Sequence, residues 1–100
     1  MKRVILTSGD ILKMEFLEPL KISAYKLAKD INVSSILIGN ILKGKQRIST
    51  ELALKLSIYF NTTPQYWLNI QNTCDLDKLK DKYELEKQSI TPYNSKVAVI

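Results

Sequence analysis

Apolar residues recur along this chain at helical offsets for most of its length, and polar residues interrupt them where helices would begin and end. The stretch TSGDILKMEFLEPL opens on Thr7 as an N-cap, with Asp10 at capping-box spacing, and then sets Ile11, Leu12 and Phe16 on one face. Pro19 is expected to close that helix. In STELALKLSIYFN, Leu52, Ala53, Leu56 and Phe60 form one stripe and Leu54 with Ile58 a second, so this helix asks for two partners. TTPQYWLNIQNTCDLDKLKDKYELEKQ begins with Thr63 as cap and Pro64 at the first helical position. Trp67, Ile70 and Cys74 make its early stripe, while Leu76, Leu79 and Tyr83 follow in another phase, which predicts a kink or break near residues 73–75.

Between these elements lies the most informative stretch, Ser23 to Lys45, SAYKLAKDINVSSILIGNILKGK. Leu27, Ala28 and Ile31 share one face of a first short helix, and Ile38, Ile41 and Leu42 repeat the stripe on a second. Asn32 sits where the chain must reverse, and Asn is second only to Gly in tolerating the positive φ such a corner needs. Ala28 supplies a small side chain where two steeply crossing helices come closest. Ser34 can cap the second helix and Gly44 can end it. This is the plan of a helix-turn-helix, and it makes double-stranded DNA the leading partner. The expected architecture is all-α, a five-helix repressor-like domain over residues 1–88, with residues 89–100 as a C-terminal tail. In that tail Pro92 is expected to end the last helix, and residues 96–100 carry the Val and Ile content of a short strand.

Charge sharpens the reading. The chain of 100 residues carries a formal net charge of +5, which suits a polyanionic partner. Lys43, Lys45 and Arg47 cluster just after the second helix, where phosphates would lie if that helix entered a major groove. There is one Cys and no His, so an internal disulfide is excluded and neither a metal site nor a cofactor is expected. The same absence leaves no general acid/base pair or activated nucleophile to assemble, so an enzyme is not expected. Tyr59, Phe60, Tyr66 and Trp67 read as core packing at helical spacing, and Cys74 as a small buried residue. No apolar run spans a membrane and no export signal opens the chain, so a cytoplasmic protein without a membrane partner is expected.

The string from SGDILKMEFLEPLKIS through the Lys43-Gly44-Lys45 turn to TPQYWLNIQ resembles the HigA-type antitoxins of bacterial type II toxin–antitoxin modules, a branch of the phage-repressor-like, XRE-type helix-turn-helix proteins. That resemblance covers residues 8–76. It implies a protein that neutralises a small basic, HigB-like toxin that cleaves mRNA at the ribosome, and that represses the shared operon. It also implies base-reading side chains at Ser35, Ile36 and Asn40, and backbone-anchoring ones at Ser23, Ser34, Lys43, Lys45 and Arg47. The chemistry agrees in part: an Asn can bond adenine through two contacts, and a Ser can meet several base edges. The departures are Ile36 and Leu37, where such antitoxins usually carry a polar residue and an Arg, and Gly39 in place of a larger polar residue. An apolar reading surface suits an A·T-rich operator sensed through thymine methyl groups and shape; the other expectation is weakened DNA binding with toxin binding retained. A stand-alone repressor without a toxin remains the alternative function. Either repressor is expected to be a homodimer, because one recognition helix buries too little surface and a twofold pair reads half-sites about 34 Å apart. The Leu54/Ile58 stripe and the stretch after Thr73 are the candidate dimer surfaces.

Overall fold

Among the described residues the first five helices start on a hydroxyl, the last follows Leu79 without a side-chain cap, and most end on a left-handed residue. The computed structural model describes residues 6–93, and the stretch expected to form a C-terminal strand, residues 96–100, lies outside them. Among the described residues there are six helices: α1 (residues 8–20), α2 (Ala24–Asp30), α3 (Ser35–Leu42), α4 (Thr50–Phe60), α5 (Pro64–Lys78) and α6 (Lys80–Ser89). The Thr7 hydroxyl accepts from the Asp10 N–H at 3.1 Å, and the Asp10 carboxylate accepts from the Thr7 N–H at 2.9 Å, which completes the expected capping box. Ser23, Ser34, Ser49 and Thr63 cap the next four helices, each hydroxyl oxygen accepting from a backbone N–H two or three residues on.

Two expectations need correction. Pro19 does not close α1. Residues Lys13–Leu17 form a π-turn, in which the Glu18 N–H bonds the Lys13 carbonyl, and the helix continues through Pro19 to Leu20. A wider turn gives the Pro ring room against the preceding carbonyls, and that ring could not donate the missing bond in any case. The true stop is Lys21, left-handed at φ 56°, with the Ile22 N–H reaching back to the Leu17 carbonyl at 2.9 Å. Nor does the last rod break at residues 73–75. α5 runs through that stretch and ends at Leu79, where the N–H turns back to Leu76, so that six helices stand where five were expected. The phase change reflects side chains left in solvent: Leu76, Leu79 and Tyr83 are all exposed. α6 then ends at Ser89, ahead of Thr91 and Pro92, and none of its residues is buried.

The core follows the expected stripes. Leu27, Ala28 and Ile31 of the first short helix meet Ile38 and Ile41 of the second, over Leu12 and Leu17 of α1 and Leu52, Ala53 and Leu56 of α4. α4 packs on α5, α2 on α3, and α1 on both α3 and α5. Trp67 closes one end, fully buried, with its indole N–H donating to the Thr62 hydroxyl at 2.8 Å and the Phe16 ring packed against it, tilted by 47°, at 4.8 Å between ring centres. These aromatics are core, as expected. Cys74 is only half-buried rather than buried as expected, and burial, followed by the nearby Asp75 charge, pushes its thiol pKa up.

Candidate nucleic-acid interface

The corner between α2 and α3 is built by backbone geometry that the sequence announces. Asn32 takes φ 60°, its N–H bonds the Lys29 carbonyl at 3.3 Å, and the Val33 N–H bonds the Ala28 carbonyl at 2.9 Å. That pair of bonds ends α2 as a Schellman motif and turns the chain within a few residues. Lys55 of α4 donates to the Asn32 carbonyl at 3.4 Å and braces the corner from behind. Asp30, at the end of α2, accepts from the Tyr59 hydroxyl at 2.6 Å and pairs with Lys26 at 3.0 Å, which ties α2 to α4. The hydrogen bond from Tyr59, then that from Lys26, holds the Asp30 carboxyl below its usual value, and the same contacts raise the pKa values of both partners.

With α2 anchored, α3 shows one face to solvent. Ile38 and Ile41 are fully buried, whereas Ser34, Ser35 and Ile36 are exposed, and Gly39 and Asn40 are half-buried. Ile36, Gly39, Asn40 and Lys43 therefore line one outward stripe at helical spacing. Ile36 is 73% exposed, a large aliphatic surface with nothing to pack on in the chain itself. The Ser34 hydroxyl oxygen accepts from the Ile36 N–H at 3.0 Å and the Ser23 oxygen from the Lys26 N–H at 3.0 Å, so each keeps its hydroxyl hydrogen free to donate outward. Gly44, at φ 75°, ends α3, with the Lys45 N–H on the Asn40 carbonyl at 2.8 Å, and this sends Lys45 away from the core.

Of the cationic cluster, Lys43 and Lys45 are exposed. Arg47 is already engaged: its guanidinium meets the Asp75 carboxylate of α5 at 2.8 Å. The pair is well exposed, so it is a weak tether that a phosphate can displace. Sequence reasoning did not find Gln71. It is buried on α5, its Nε2 donates to the Ile48 carbonyl at 2.7 Å, and its Oε1 accepts from the Ile48 N–H and, at 3.4 Å, from the Ser8 hydroxyl. One side chain thus satisfies both backbone groups of the loop residue next to Arg47. A Gln between Ile70 and Asn72 reads as solvent-facing, and only its i+4 relation to Trp67 hinted otherwise.

A Cβ at Gly39 would meet nothing within 4 Å, so no packing demands glycine there. Gly39→Ala is accordingly expected to raise folding stability by about 0.5–1 kcal/mol, the helix-propensity difference. A urea midpoint that moves down rather than up would show that the site is tighter than its geometry.

The helix-turn-helix family model matches residues 13–67. An HTH-type transcriptional regulator of Haemophilus influenzae is 44% identical over 68 residues, which are 68% of this chain and 64% of that protein, so the chain spans under two thirds of that relative. Antitoxin HigA-1 of Vibrio cholerae is 34% identical over 91% of this chain and 86% of its own length. Among solved structures, the Pseudomonas aeruginosa antitoxin HigA with the higBA promoter superposes with a TM-score of 0.82 at 29% identity, covering 91% of this chain and all of that one.

Proposed function

Because this chain belongs to the helix-turn-helix family, in the branch that holds the HigA antitoxins, we propose that it is a DNA-binding antitoxin that represses its own operon and neutralises a small basic, mRNA-cleaving toxin. The observation that carries the DNA half is the outward stripe of α3, Ile36, Asn40 and Lys43, braced by two fully buried isoleucines. In this reading Asn40 contacts an adenine edge, Ser35 a further base edge and Ile36 a thymine methyl group, which favours an A·T-rich half-site. Ser23, Ser34, Lys43, Lys45 and Arg47 hold phosphates, with Arg47 exchanging Asp75 for the DNA backbone. The reading unit is residues 1–88, and the protein works in the cytoplasm.

A second copy completes the reader. α6 has ten residues and none is buried, and an isolated helix that short is marginal in water, so it needs a partner surface. Leu76, Leu79 and Tyr83 line an apolar groove of about 520 Å³ along α5 and α6, and a twofold partner seated there would set two α3 helices on successive major grooves. The toxin is expected from the adjacent reading frame, and co-expression should yield one stable heteromeric complex. A protein that binds its operator with no co-purifying partner would instead be the stand-alone repressor.

The test is the affinity of the protein for the duplex upstream of its own gene and for random duplex, by fluorescence anisotropy. Asn40→Ala should weaken operator binding by about 1–3 kcal/mol and random binding far less. Equal losses on both duplexes would remove Asn40 from the reading surface, and no binding even in dilute buffer would overturn the DNA function altogether.

A further inference from the structure

The geometry points to a phosphate-binding groove on the flank of α3, walled by α1, through which the DNA backbone passes over Gly39; this rests on the DNA-binding reading above and extends it to residues of α1. The groove holds about 630 Å³ between α1, the start of α2 and the second half of α3. Lys13 and Lys21 stand on its α1 side, Gly39 and Lys43 on its α3 side, and Ser23 at its end. Glu18 is the one carboxylate in the lining, against three amines. None of those amines has an ion-pair partner among the described residues. Three unpaired lysines around an open, aliphatic-floored groove attract a polyanion rather than a small neutral ligand.

Its position supplies the occupant. Gly39 and Lys43 belong both to this groove and to the outward stripe of α3, and Asn40 is the next residue along, so the groove opens beside the side chains offered to the bases. A strand whose bases meet Asn40 has its sugar–phosphate chain alongside. The missing side chain at Gly39 leaves the helix backbone bare at that point, with nothing beyond the helix's own backbone within 4 Å of where a Cβ would stand, and lets a phosphodiester approach closely. This gives Gly39 a use that its helix propensity opposes. Lys21 gains its place from the left-handed stop of α1, which throws the residue out beside Ser23 rather than along the rod.

The experiment is the salt dependence of DNA affinity for the wild-type protein, the double variant Lys13→Gln/Lys21→Gln, Glu18→Gln and Gly39→Leu. Each phosphate contact contributes about 0.9 to the slope of log K against log salt, so the double variant is expected to lower the slope by about 2, equally on operator and random duplex. Glu18→Gln should tighten binding to both duplexes, since it removes the repelling carboxylate. Gly39→Leu should fold with an unchanged or higher urea midpoint yet lose about tenfold or more in affinity, because the side chain fills the strand's path. A wild type that binds with a steep salt slope, together with a double variant of the same slope, overturns the groove and leaves the DNA reading intact. Undiminished binding by a folded Gly39→Leu overturns the strand path, and a wild type that binds no duplex overturns both readings.

Discussion

Gly9→Ala is expected to cost about 3 kcal/mol of folding stability and to abolish tight DNA binding at temperatures where the wild type is folded. A Cβ on residue 9 would stand 1.9 Å from the Ile41 carbonyl oxygen and 2.7 Å from its carbon. Both are backbone atoms in the last turn of α3, so no side-chain rotation relieves the overlap, and α1 must lift away from the helix it supports. The same Ile41 carbonyl accepts the Gly44 N–H at 3.0 Å, so displacing it also loosens the stop that directs Lys43 and Lys45 outward. Urea denaturation followed by circular dichroism measures the loss. A midpoint within experimental error of wild type would mean that the two helices are not in the close contact that leaves Gly9 buried. Gly39→Ala is the matched control, for it adds the same methyl group to the neighbouring helix with the opposite expected sign.

Gln71→Leu is expected to cost about 3 kcal/mol as well, by a different route. Leu keeps much of the volume but leaves both the N–H and the carbonyl of Ile48 without their partner, in a residue only 2% exposed. Each orphaned backbone group costs about 1–3 kcal/mol. The damage should centre on the loop from Lys43 to Ser49, so amide exchange at Ile48 should quicken more than at the core positions of α2. On the proposed reading, in which Lys45 and Arg47 hold phosphates and α3 reads bases, operator affinity should fall while the relative preference for operator over random duplex should hold. Gln71→Glu can accept from the Ile48 N–H but cannot donate to its carbonyl, and it buries a charge, so it should not rescue. Wild-type stability in Gln71→Leu would show that this loop is held by its own packing alone.

Both effects arise at residues that sequence reading passed over, and the reason is the range of the interaction. Asn32 and Gly44 were legible because the demand for a left-handed residue at a helix end is local, and Asn and Gly announce it. The caps at Thr7, Ser34 and Thr63 were legible for the same reason, each being satisfied two or three residues away. Lys21 takes the same left-handed conformation, but nothing in a lysine signals it, and Pro19 was misread because the π-turn that accommodates it has no sequence mark. The shift in apolar phase after Cys74 was visible, yet periodicity alone cannot tell a broken helix from a straight one whose stripe stays in solvent.

The chain's own order of residues determined the all-α class, the paired short helices, their corner and the outward placement of Ser35, Ile36 and Lys43, since helical period and capping act over one or two turns. Tertiary structure alone decided that Gly9 must be bare, that Gln71 reaches 23 residues back to hold the loop, that Arg47 rests on Asp75, and that α1 and its stop place lysines beside α3. Those facts depend on which turn of one helix lies against which turn of another. That register comes from the packing of the whole core, and no local pattern encodes it.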